Sequence, residues 1–335
     1  MTLDPYPLIL NPILKEKVWG GRRLAGFGKD LPAGARIGES WELADLASTS
    51  PTGGGGGEAR SVILNGPCAG DTLHEVMQRW RRNLLGDVPP SESGGFPLLV
   101  KYLDAQEHLS VQVHPTAEYV DAHPGAFLKT ESWFILEAAP GSAVFKGVRP
   151  GTTLEELTAV VSAGGSPVHL LTRTPVTAGE LHHLPSGTVH ALGAGVLAAE
   201  IQTPSDTTFR FYDWAEEYGR SDRPLHPAEA LANAGLEPPP PATRLAPGSH
   251  RGRLVETDHY TIELLLLDSG YKEASLSAGC HVLMVESGPV GFTYPGGDGV
   301  LESGVTCVIP AAIAAGTRLS APGPASLLLV RLETK

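Results

Sequence analysis

Four runs near the carboxyl end of the chain are apolar almost throughout and are separated by glycine and proline turns. They cover residues 260–267, 281–286, 305–310 and 325–331. Short apolar runs between turn signals are typical of buried strands. The pattern therefore predicts a small β-barrel at this end of the chain, and strands with loops over residues 8–66.

Helical spacing of apolar residues occurs in only a few places. Between 72 and 85 the apolar positions follow the helical period, and Asp71 could cap the start. Residues 153–161 and 227–233 also read as helices. We interpret these helices as scaffold, because the side chains that could bind a metal or take part in catalysis lie on the strands between them.

The length and one proline run predict two domains. A single hydrophobic core stops growing beyond about 250 to 300 residues, and this chain has 335. Residues 236–241 read Leu-Glu-Pro-Pro-Pro-Pro, a stiff segment typical of a domain linker. We expect a first domain at 1–235 with the inserted helices, a Pro-rich linker at 236–250, and a smaller β domain at 251–335.

Composition narrows the class of protein. The net charge of −12 argues against nucleic acid as a partner, because phosphate backbones are bound by basic surfaces. Three cysteines are too few and too scattered for a disulfide framework. The amino-terminal residues lack a basic signal region, and no apolar run approaches the ~20 residues of a membrane span. We expect a cytoplasmic protein without nucleic-acid or membrane partners.

The five glycines at 53–57 predict a surface loop. They cannot pack a core and cost much entropy to order. The Gly-Lys-Ser/Thr ending of a phosphate-binding P-loop is absent from this run. We therefore interpret it as a connection and not as a nucleotide site.

Four side chains form a candidate metal site. Gln112 and His114 are two residues apart, so on a strand they point to one face. Glu131 and His190 could complete a set of nitrogen and oxygen ligands without thiolate. Such a set suits zinc but also iron or manganese. Gln112 is the weakest of the four as a ligand, and could instead orient a water.

Several segments in order carry a family resemblance. The spacing Gly179-x5-Pro185-x-Gly187-x2-His190 resembles the second signature of the cupin barrels, except that Ala194 replaces the usual asparagine. The chain as a whole resembles the type I mannose-6-phosphate isomerases, and most closely their short bacterial branch. The matching segments are 19–21, 37–42, 96–105, 109–115, 129–133, 187–193 and 200–214.

The resemblance implies a fold and an activity. The fold would be mainly β, with a cupin (jelly-roll) barrel carrying the metal site and a second, smaller cupin-like domain without metal. The activity would be interconversion of mannose 6-phosphate and fructose 6-phosphate through an enediolate, with one Zn²⁺ or another divalent ion per chain. The partner would be a small sugar phosphate, and the protein a monomer or homodimer.

The resemblance also assigns roles to residues. It implies a catalytic role for Arg210, whose alternative is a salt bridge to Asp206 or Asp213. It implies that Ser110 and Lys101 help to hold the phosphate, and that Glu200 lines the sugar pocket and could handle the proton.

Lys129 lies two residues from Glu131, so its ammonium could sit beside the metal. There its pKa would tend to fall, which would make it a candidate proton shuttle; otherwise it balances charge. The general base is not identified by the sequence.

Two departures and two alternatives remain. The large members of the family carry a lysine soon after the active arginine, whereas Phe-Tyr-Asp-Trp follows Arg210 here. Ser132 stands where many relatives have cysteine.

A cupin dioxygenase would use a similar ligand set for iron, although its first motif has two histidines. A non-catalytic sugar-phosphate sensor would need a partner surface or a DNA-binding helix pair, and the sequence indicates neither.

Overall fold

The computed structural model describes residues 4–50, 52–53, 57–220 and 223–333. Residues 54–56 of the glycine run lie outside this set, as do 1–3, 51, 221–222 and 334–335. More of the described residues lie in strands than in helices, as expected for a mainly β fold. None of their helices has the length and apolar character needed to cross a bilayer.

The strands before the proline run are β1 (Leu8–Asn11), β2 (Ile13–Gly21), β3 (Ile37–Leu43), β4 (Asp45–Leu46), β5 (Ala59–Arg60), β6 (Val62–Ile63), β7 (Leu99–Ala105), β8 (Val111–Val113), β9 (Glu131–Ala138), β10 (Ala143–Val148), β11 (Leu171–Pro175), β12 (Leu181–Leu184), β13 (His190–Leu192), β14 (Val196–Gln202) and β15 (Phe209–Tyr212). Those after it are β16 (Arg251–Glu256), β17 (Tyr260–Leu267), β18 (Glu273–Ser275), β19 (His281–Ser287), β20 (Val290–Tyr294), β21 (Gly297–Leu301), β22 (Thr306–Ile309), β23 (Arg318–Ser320) and β24 (Ala325–Leu332). The four apolar runs at the carboxyl end are thus confirmed as strands.

The α-helices are α1 (Leu73–Trp80), α2 (Arg82–Leu85), α3 (Ala117–Ala122), α4 (Leu154–Ser162), α5 (Ala215–Tyr218), α6 (Pro227–Ala232) and α7 (Ala311–Ala314). Short 3₁₀ turns occupy Arg23–Phe27, Gly66–Cys68 and Pro167–Leu170. The helices expected at 153–161 and 227–233 are confirmed as α4 and α6.

The single helix expected over 72–85 is wrong in two respects. Arg81 has a φ of 48°, which interrupts the helix and separates α1 from α2. The cap is Thr72 and not Asp71: its hydroxyl accepts from the Glu75 amide, and the Glu75 carboxylate accepts from the Thr72 amide. This reciprocal capping box satisfies two amides that the helix itself leaves free.

Two sheets form the first barrel. A six-stranded sheet has the order β12-β9-β14-β7-β2-β3, and a five-stranded sheet has the order β11-β10-β13-β8-β15. Side chains from both sheets fill the space between them, among them Trp133, Ile135, Val144 and Leu192. Full burial of each such side chain contributes about 1.5 to 3 kcal/mol. Helices α4 and α6 cover the outer face of the five-stranded sheet.

The second barrel has its own interior core, and the outer face of one of its sheets packs against the first barrel. A seven-stranded sheet, β16-β17-β24-β19-β22-β1-β6, packs on the four-stranded sheet β18-β23-β20-β21. Its other face packs against the six-stranded sheet, where Tyr102 and Phe134 meet Tyr260 and Val282 in one core. Strand β1 pairs with β22, with Leu8 opposite Val308, so the start of the chain completes the sheet near its end.

The proline run lies along the first barrel. The Pro240 carbonyl accepts from Lys146 Nζ at 2.5 Å, and Thr243 pairs with Leu181 on β12 through two backbone bonds. The segment at 236–250 therefore has fixed contacts with the barrel that precedes it. The division into domains at this segment stays a prediction.

Candidate metal centre and substrate pocket

Three predicted ligands converge at the ends of three strands. His114 follows β8, Glu131 begins β9 and His190 begins β13. One donor atom from each lies within 4.8 Å of the others, and the three side chains are 0 to 2% exposed. His114 Nε2 is 3.2 Å from Glu131 Oε2, and His190 Nε2 is 3.1 Å from Glu131 Oε1. The structure thus brings the predicted trio together.

Backbone carbonyls orient both imidazoles. His114 Nδ1 donates to the Thr207 carbonyl at 3.0 Å, and His190 Nδ1 donates to the Thr188 carbonyl at 2.7 Å. Because a carbonyl can only accept, each Nε2 keeps its lone pair for the centre of the trio. Burial and the nearby Lys129 lower the pKa of His114 to about 3, so this imidazole is neutral at pH 7.

The turn before His190 depends on one glycine. Gly187 has a φ of +82°, and a Cβ there would lie 3.0 Å from Thr116 Cγ2 and 3.2 Å from the Asn233 carbonyl. Only glycine enters this left-handed region without strain. The turn delivers His190 to the trio opposite Gln112.

The donor atoms fit a divalent metal ion. His114 Nε2 and both Glu131 carboxylate oxygens are buried and lack a well-formed hydrogen bond among the described residues, although they approach one another and Lys129 Nζ lies 3.0 Å from Glu131 Oε2. Buried polar atoms without partners are costly unless something else binds them. Burial alone would raise the pKa of Glu131, but Lys129 and the two imidazoles hold it well below its usual range. An ionised carboxylate and two imidazole nitrogens form a nitrogen and oxygen set suited to such an ion.

Gln112 lies at the edge of the trio. Its amide nitrogen is 3.3 Å from His190 Nε2, and its amide oxygen accepts from the Ser110 hydroxyl at 3.2 Å. Strand β8 places Gln112 opposite both His190 and Arg210 on its two neighbours. The fourth predicted ligand is therefore in reach of the centre.

An open pocket lies beside the trio. It is lined by the predicted residues Lys101, Ser110, Gln112, Lys129, Glu200 and Arg210. Its other polar lining residues, which the sequence did not assign to the site, are Lys17, Glu39, Asp206, Thr208 and Arg223. Trp19, Trp41, Gly53, Leu103 and Leu109 complete the walls. All the predicted site residues thus meet in one place.

Glu200 is held by two donors in this pocket. Lys101 Nζ lies 2.8 Å from Glu200 Oε1 and 2.7 Å from the Gln202 side-chain oxygen, and Trp133 Nε1 donates to Glu200 Oε2 at 2.8 Å. Burial would lower the pKa of Lys101, but the carboxylates of Glu200 and Glu39 raise it above its usual range. Lys101 is therefore a buried ammonium ion.

Lys129 lies between the pocket and the trio. Its Nζ is 3.0 Å from Glu131 Oε2, and its side chain is buried. The adjacency predicted from the spacing of the two residues is therefore present. Its charge balances that of the Glu131 carboxylate.

Arg210 faces the pocket with part of its fork unbound. Its Nη2 donates to the Thr52 carbonyl at 2.6 Å, and its buried Nε has no partner among the described residues. Burial and Arg223 lower the pKa of Arg210 to about 10, so the side chain still carries its charge at pH 7. The Asp213 carboxylate, one of the alternative partners, is instead bound by Arg223 Nε at 2.9 Å.

The sequence reasoning missed two features of the pocket. Lys17 lies 3.1 Å from Glu39, and Trp41 Nε1 donates to the same carboxylate at 2.6 Å. Burial would raise the pKa of Glu39, but Lys17 and Lys101 hold it at about 2. The segment 37–42 had been matched to the family only as a whole. The sequence did not indicate Arg223 as a pocket residue, because it lies in no recognisable motif.

Comparison with known proteins agrees with the geometry. The model of the type I phosphomannose isomerase catalytic domain matches residues 8–131. A mannose-6-phosphate isomerase of Streptococcus mutans is 39% identical over 240 residues, which are 71% of this chain and 70% of that protein. ManA, a mannose-6-phosphate isomerase of Bacillus subtilis, is 42% identical over 64% of this chain, but the match spans only 62% of the relative's length.

Solved structures match over almost the whole chain. The mannose 6-phosphate isomerase from Bacillus subtilis superposes with a TM-score of 0.81 at 28% identity, covering 97% of this chain and 99% of that one. A mannose 6-phosphate isomerase bound with zinc and yttrium shares the fold, with a TM-score of 0.73 at 19% identity over 98% and 99% of the two chains. The predicted cupin fold and the predicted resemblance are both confirmed. The chain belongs to the type I mannose-6-phosphate isomerase family.

Proposed function

We propose that this protein is a metal-dependent isomerase that interconverts mannose 6-phosphate and fructose 6-phosphate. The observation that carries the proposal is the trio of His114, Glu131 and His190, which lies beside a pocket rich in cations. In the trio, His114 Nε2 and both Glu131 oxygens lack a well-formed hydrogen bond among the described residues. The family relation supports the same reaction. It disfavours the dioxygenase and sensor alternatives.

The metal is proposed to be Zn²⁺, one ion per chain, held by His114, Glu131 and His190 with Gln112 as the fourth ligand. Two imidazoles and a carboxylate suit zinc, and the structural neighbour with bound zinc supports this choice. When bound, the ion supplies a Lewis acid that polarises a sugar oxygen. Other divalent ions remain compatible with the donor set.

The proton transfer is assigned to the pocket wall. Moving a proton between C1 and C2 requires a group that can hold it and a cation for the developing negative charge. Lys101 and Trp133 hold Glu200 in place, so we propose that its carboxylate lies beside the sugar and transfers the proton between C1 and C2. The unbound part of the Arg210 fork suits the enediolate oxygen. Lys129 is proposed to stabilise the negative charge of Glu131 and to act as a proton shuttle.

The phosphate is assigned to the cationic side of the same pocket. Ser110 and Lys101 are proposed to contribute as the family resemblance implies. Both lysines of the family motifs, Lys101 and Lys129, already contact carboxylates. Arg223, bound to Asp213, and Lys17, beside Glu39, are paired in the same way, and we propose that each adds a cation for the phosphate. These cations gather at the site although the chain as a whole is acidic.

A coupled assay tests the proposal. Purified protein is given mannose 6-phosphate, and the formation of fructose 6-phosphate is followed through phosphoglucose isomerase and a dehydrogenase. We expect steady turnover that Glu200→Gln reduces strongly and that Glu137→Gln, a change outside the pocket, leaves unaffected. Persistent inactivity of a folded, metal-loaded protein would contradict the proposal. Size-exclusion chromatography with light scattering would decide between monomer and homodimer.

A further inference from the structure

The interior of the second barrel changes character along its length. Leu265, Leu283 and Leu329 face inward and belong to the apolar core between its two sheets. Residues of neighbouring strands that stand opposite each other share a face. Glu263 is paired with Leu329 and with Arg253, so both charged residues lie on this inner face.

The same alternation places further polar residues on the inner face. Arg251 stands opposite Leu265, and Arg331 stands opposite both Thr261 and His281. One end of the barrel interior is therefore polar and charged, while the rest is apolar. The side chains of Glu263 and the three arginines are 28 to 60% exposed, so this end of the barrel opens to solvent.

A concave pocket occupies this end. It is lined by Arg251, Arg253, Thr261, Glu263, Ser277, His281, Leu329 and Arg331, none of which lines the isomerase pocket. Three guanidinium groups therefore face one inward carboxylate, a formal charge of +2. Glu256 and Glu333, which pair with two of these arginines, are not part of the lining.

One arginine is fixed and two can exchange partners. Arg251 donates through Nε and Nη2 to Glu263 at 2.8 and 2.6 Å, and through Nη1 to the Ser275 carbonyl at 3.0 Å. Arg253 pairs with Glu256 and Arg331 with Glu333, and these side chains are 21 to 60% exposed. An exposed pair such as Arg253–Glu256 contributes little, about 0 to 1 kcal/mol, so an incoming anion can replace its carboxylate. Glu333 also accepts from the Thr261 hydroxyl, so its place beside Arg331 is harder to take.

His281 supplies the floor of the pocket without adding charge. It is 2% exposed, and its Nδ1 donates to the Gly279 carbonyl at 3.0 Å. Its Nε2 then accepts from the Ser277 hydroxyl at 3.2 Å. Burial and the nearby arginines lower the pKa of His281 to about 4, so it is neutral at pH 7.

We propose that this pocket binds the phosphate group of a small metabolite, at a site separate from the isomerase pocket. A phosphate dianion matches the formal charge of the lining, and guanidinium forks bind its oxygens in pairs. Arg253 and Arg331 bind the anion at the rim of the pocket, and Arg251 lies at its inner wall. The proposal is independent of the isomerase assignment, because it uses none of the residues of that site.

Calorimetric titration of the full chain with inorganic phosphate tests the proposal. The variants are the double change Arg253→Gln with Arg331→Gln, the isomerase-site change Arg210→Gln, and the control Arg244→Gln, whose side chain is half exposed and paired with Glu180. In the Arg210→Gln background we expect the second pocket to remain a phosphate site, distinguished from the remaining cations of the isomerase pocket by its response to the double change. Adding the double change should weaken that site at least about tenfold, whereas Arg244→Gln should not.

Two results would overturn the proposal. One is the absence of phosphate binding in the Arg210→Gln protein, and the other is unchanged binding after the double change. Crystals of the parent soaked in tungstate give a test that needs no variant: a tetrahedral peak between Arg253 and Arg331 is expected, and its absence would contradict the proposal. Titration with glycerol phosphate in the Arg210→Gln background identifies the source, since tighter binding than inorganic phosphate indicates a metabolite and weaker binding indicates free phosphate.

Discussion

At the scale of single residues, Arg210 keeps its positive charge in a partly buried position. The Thr52 carbonyl binds its guanidinium on one side, and its Nε has no partner among the described residues. Burial and the nearby Arg223 lower its pKa to about 10. A positive charge so poorly compensated is available for an anion. This is the property that stabilisation of an enediolate or a phosphate requires.

Substitution of Arg210 by lysine should reduce turnover without removing the metal. Lysine keeps a charge but loses the planar fork, so we expect kcat to fall about 10²-fold. Steady-state kinetics and metal analysis on the same samples check this. Arg244→Lys, on the surface, is the control. A variant with parental kcat would remove Arg210 from the chemistry.

Gln112 and His114 should differ in their effect on metal affinity. His114 offers an oriented imidazole lone pair, whereas Gln112 is a neutral amide at the edge of the trio. We expect Gln112→Ala to weaken metal binding by about 10- to 100-fold, and His114→Ala to weaken it further. Competition with a fluorescent chelator measures both. Unchanged affinity in Gln112→Ala would mean that this residue does not help to hold the ion.

The residues of the trio were predictable and their surroundings were not. His114 and His190 lie in short local motifs, and strand alternation brings Gln112 to the same face. The carbonyls of Thr207 and Thr188, which orient the imidazoles, carry no side-chain signal in a sequence. Likewise, Arg223 and Lys17 reach the pocket through tertiary packing that no local pattern records.

At the scale of elements, two segments behind the site are joined through one threonine. The Thr203 hydroxyl donates to the Leu128 carbonyl at 2.8 Å and accepts from the Thr130 amide at 3.2 Å. The first segment carries Lys129 and Glu131, and the second follows Gln202, which binds Lys101. Thr203 therefore fixes the distance between the trio of His114, Glu131 and His190 and the Lys101 side of the pocket.

Thr203→Val should affect both stability and activity. It removes two hydrogen bonds at nearly constant volume, so we expect a loss of about 1 to 3 kcal/mol in the free energy of unfolding. We also expect a lower kcat, because Lys129 and Glu131 lose a support. Urea unfolding and the coupled assay measure these effects. Thr172→Val, which removes one bond to the Val148 carbonyl far from the site, should leave kcat unchanged.

Elements were predictable where the pattern is local. The apolar runs that became β17, β19, β22 and β24 are bounded by turns, so their positions were evident. The break between α1 and α2 was not, because the left-handed φ of Arg81 is unusual for a residue with a side chain. The pairing of β1 with β22 joins residues about three hundred positions apart, and strand alternation does not specify a partner.

At the scale of the whole molecule, the two barrels are joined by a polar cluster within their shared core. Lys29 contacts Glu42 at 2.6 Å and the Gly304 carbonyl at 2.7 Å, and Thr306 reaches the same carboxylate. Both oxygens of Glu286 are buried without a partner among the described residues. Burial and Glu42 raise the pKa of Glu286 well above its usual value of 4.5.

Glu286 should therefore make stability fall with rising pH. The folded protein keeps this carboxyl protonated while the unfolded chain ionises it, so the stabilisation is complete below about pH 4 and is lost as pH rises from there toward the folded-state pKa. Glu286→Gln should raise the free energy of unfolding at pH 7 by about 1 to 3 kcal/mol and change it little at pH 4. Urea unfolding at both values checks this, with exposed Glu302→Gln as the control. An equal effect of Glu286→Gln at both pH values would contradict the prediction.

The central claim is that a metal ion at His114, Glu131 and His190 drives isomerisation. The most direct measurement is the coupled assay with mannose 6-phosphate on protein stripped by a chelator, then restored with zinc, manganese, iron or cobalt in turn, alongside His190→Ala. We predict that turnover vanishes on stripping, returns with a divalent ion, and does not return in His190→Ala. Parental turnover by the stripped protein, or by His190→Ala without metal, would contradict the account.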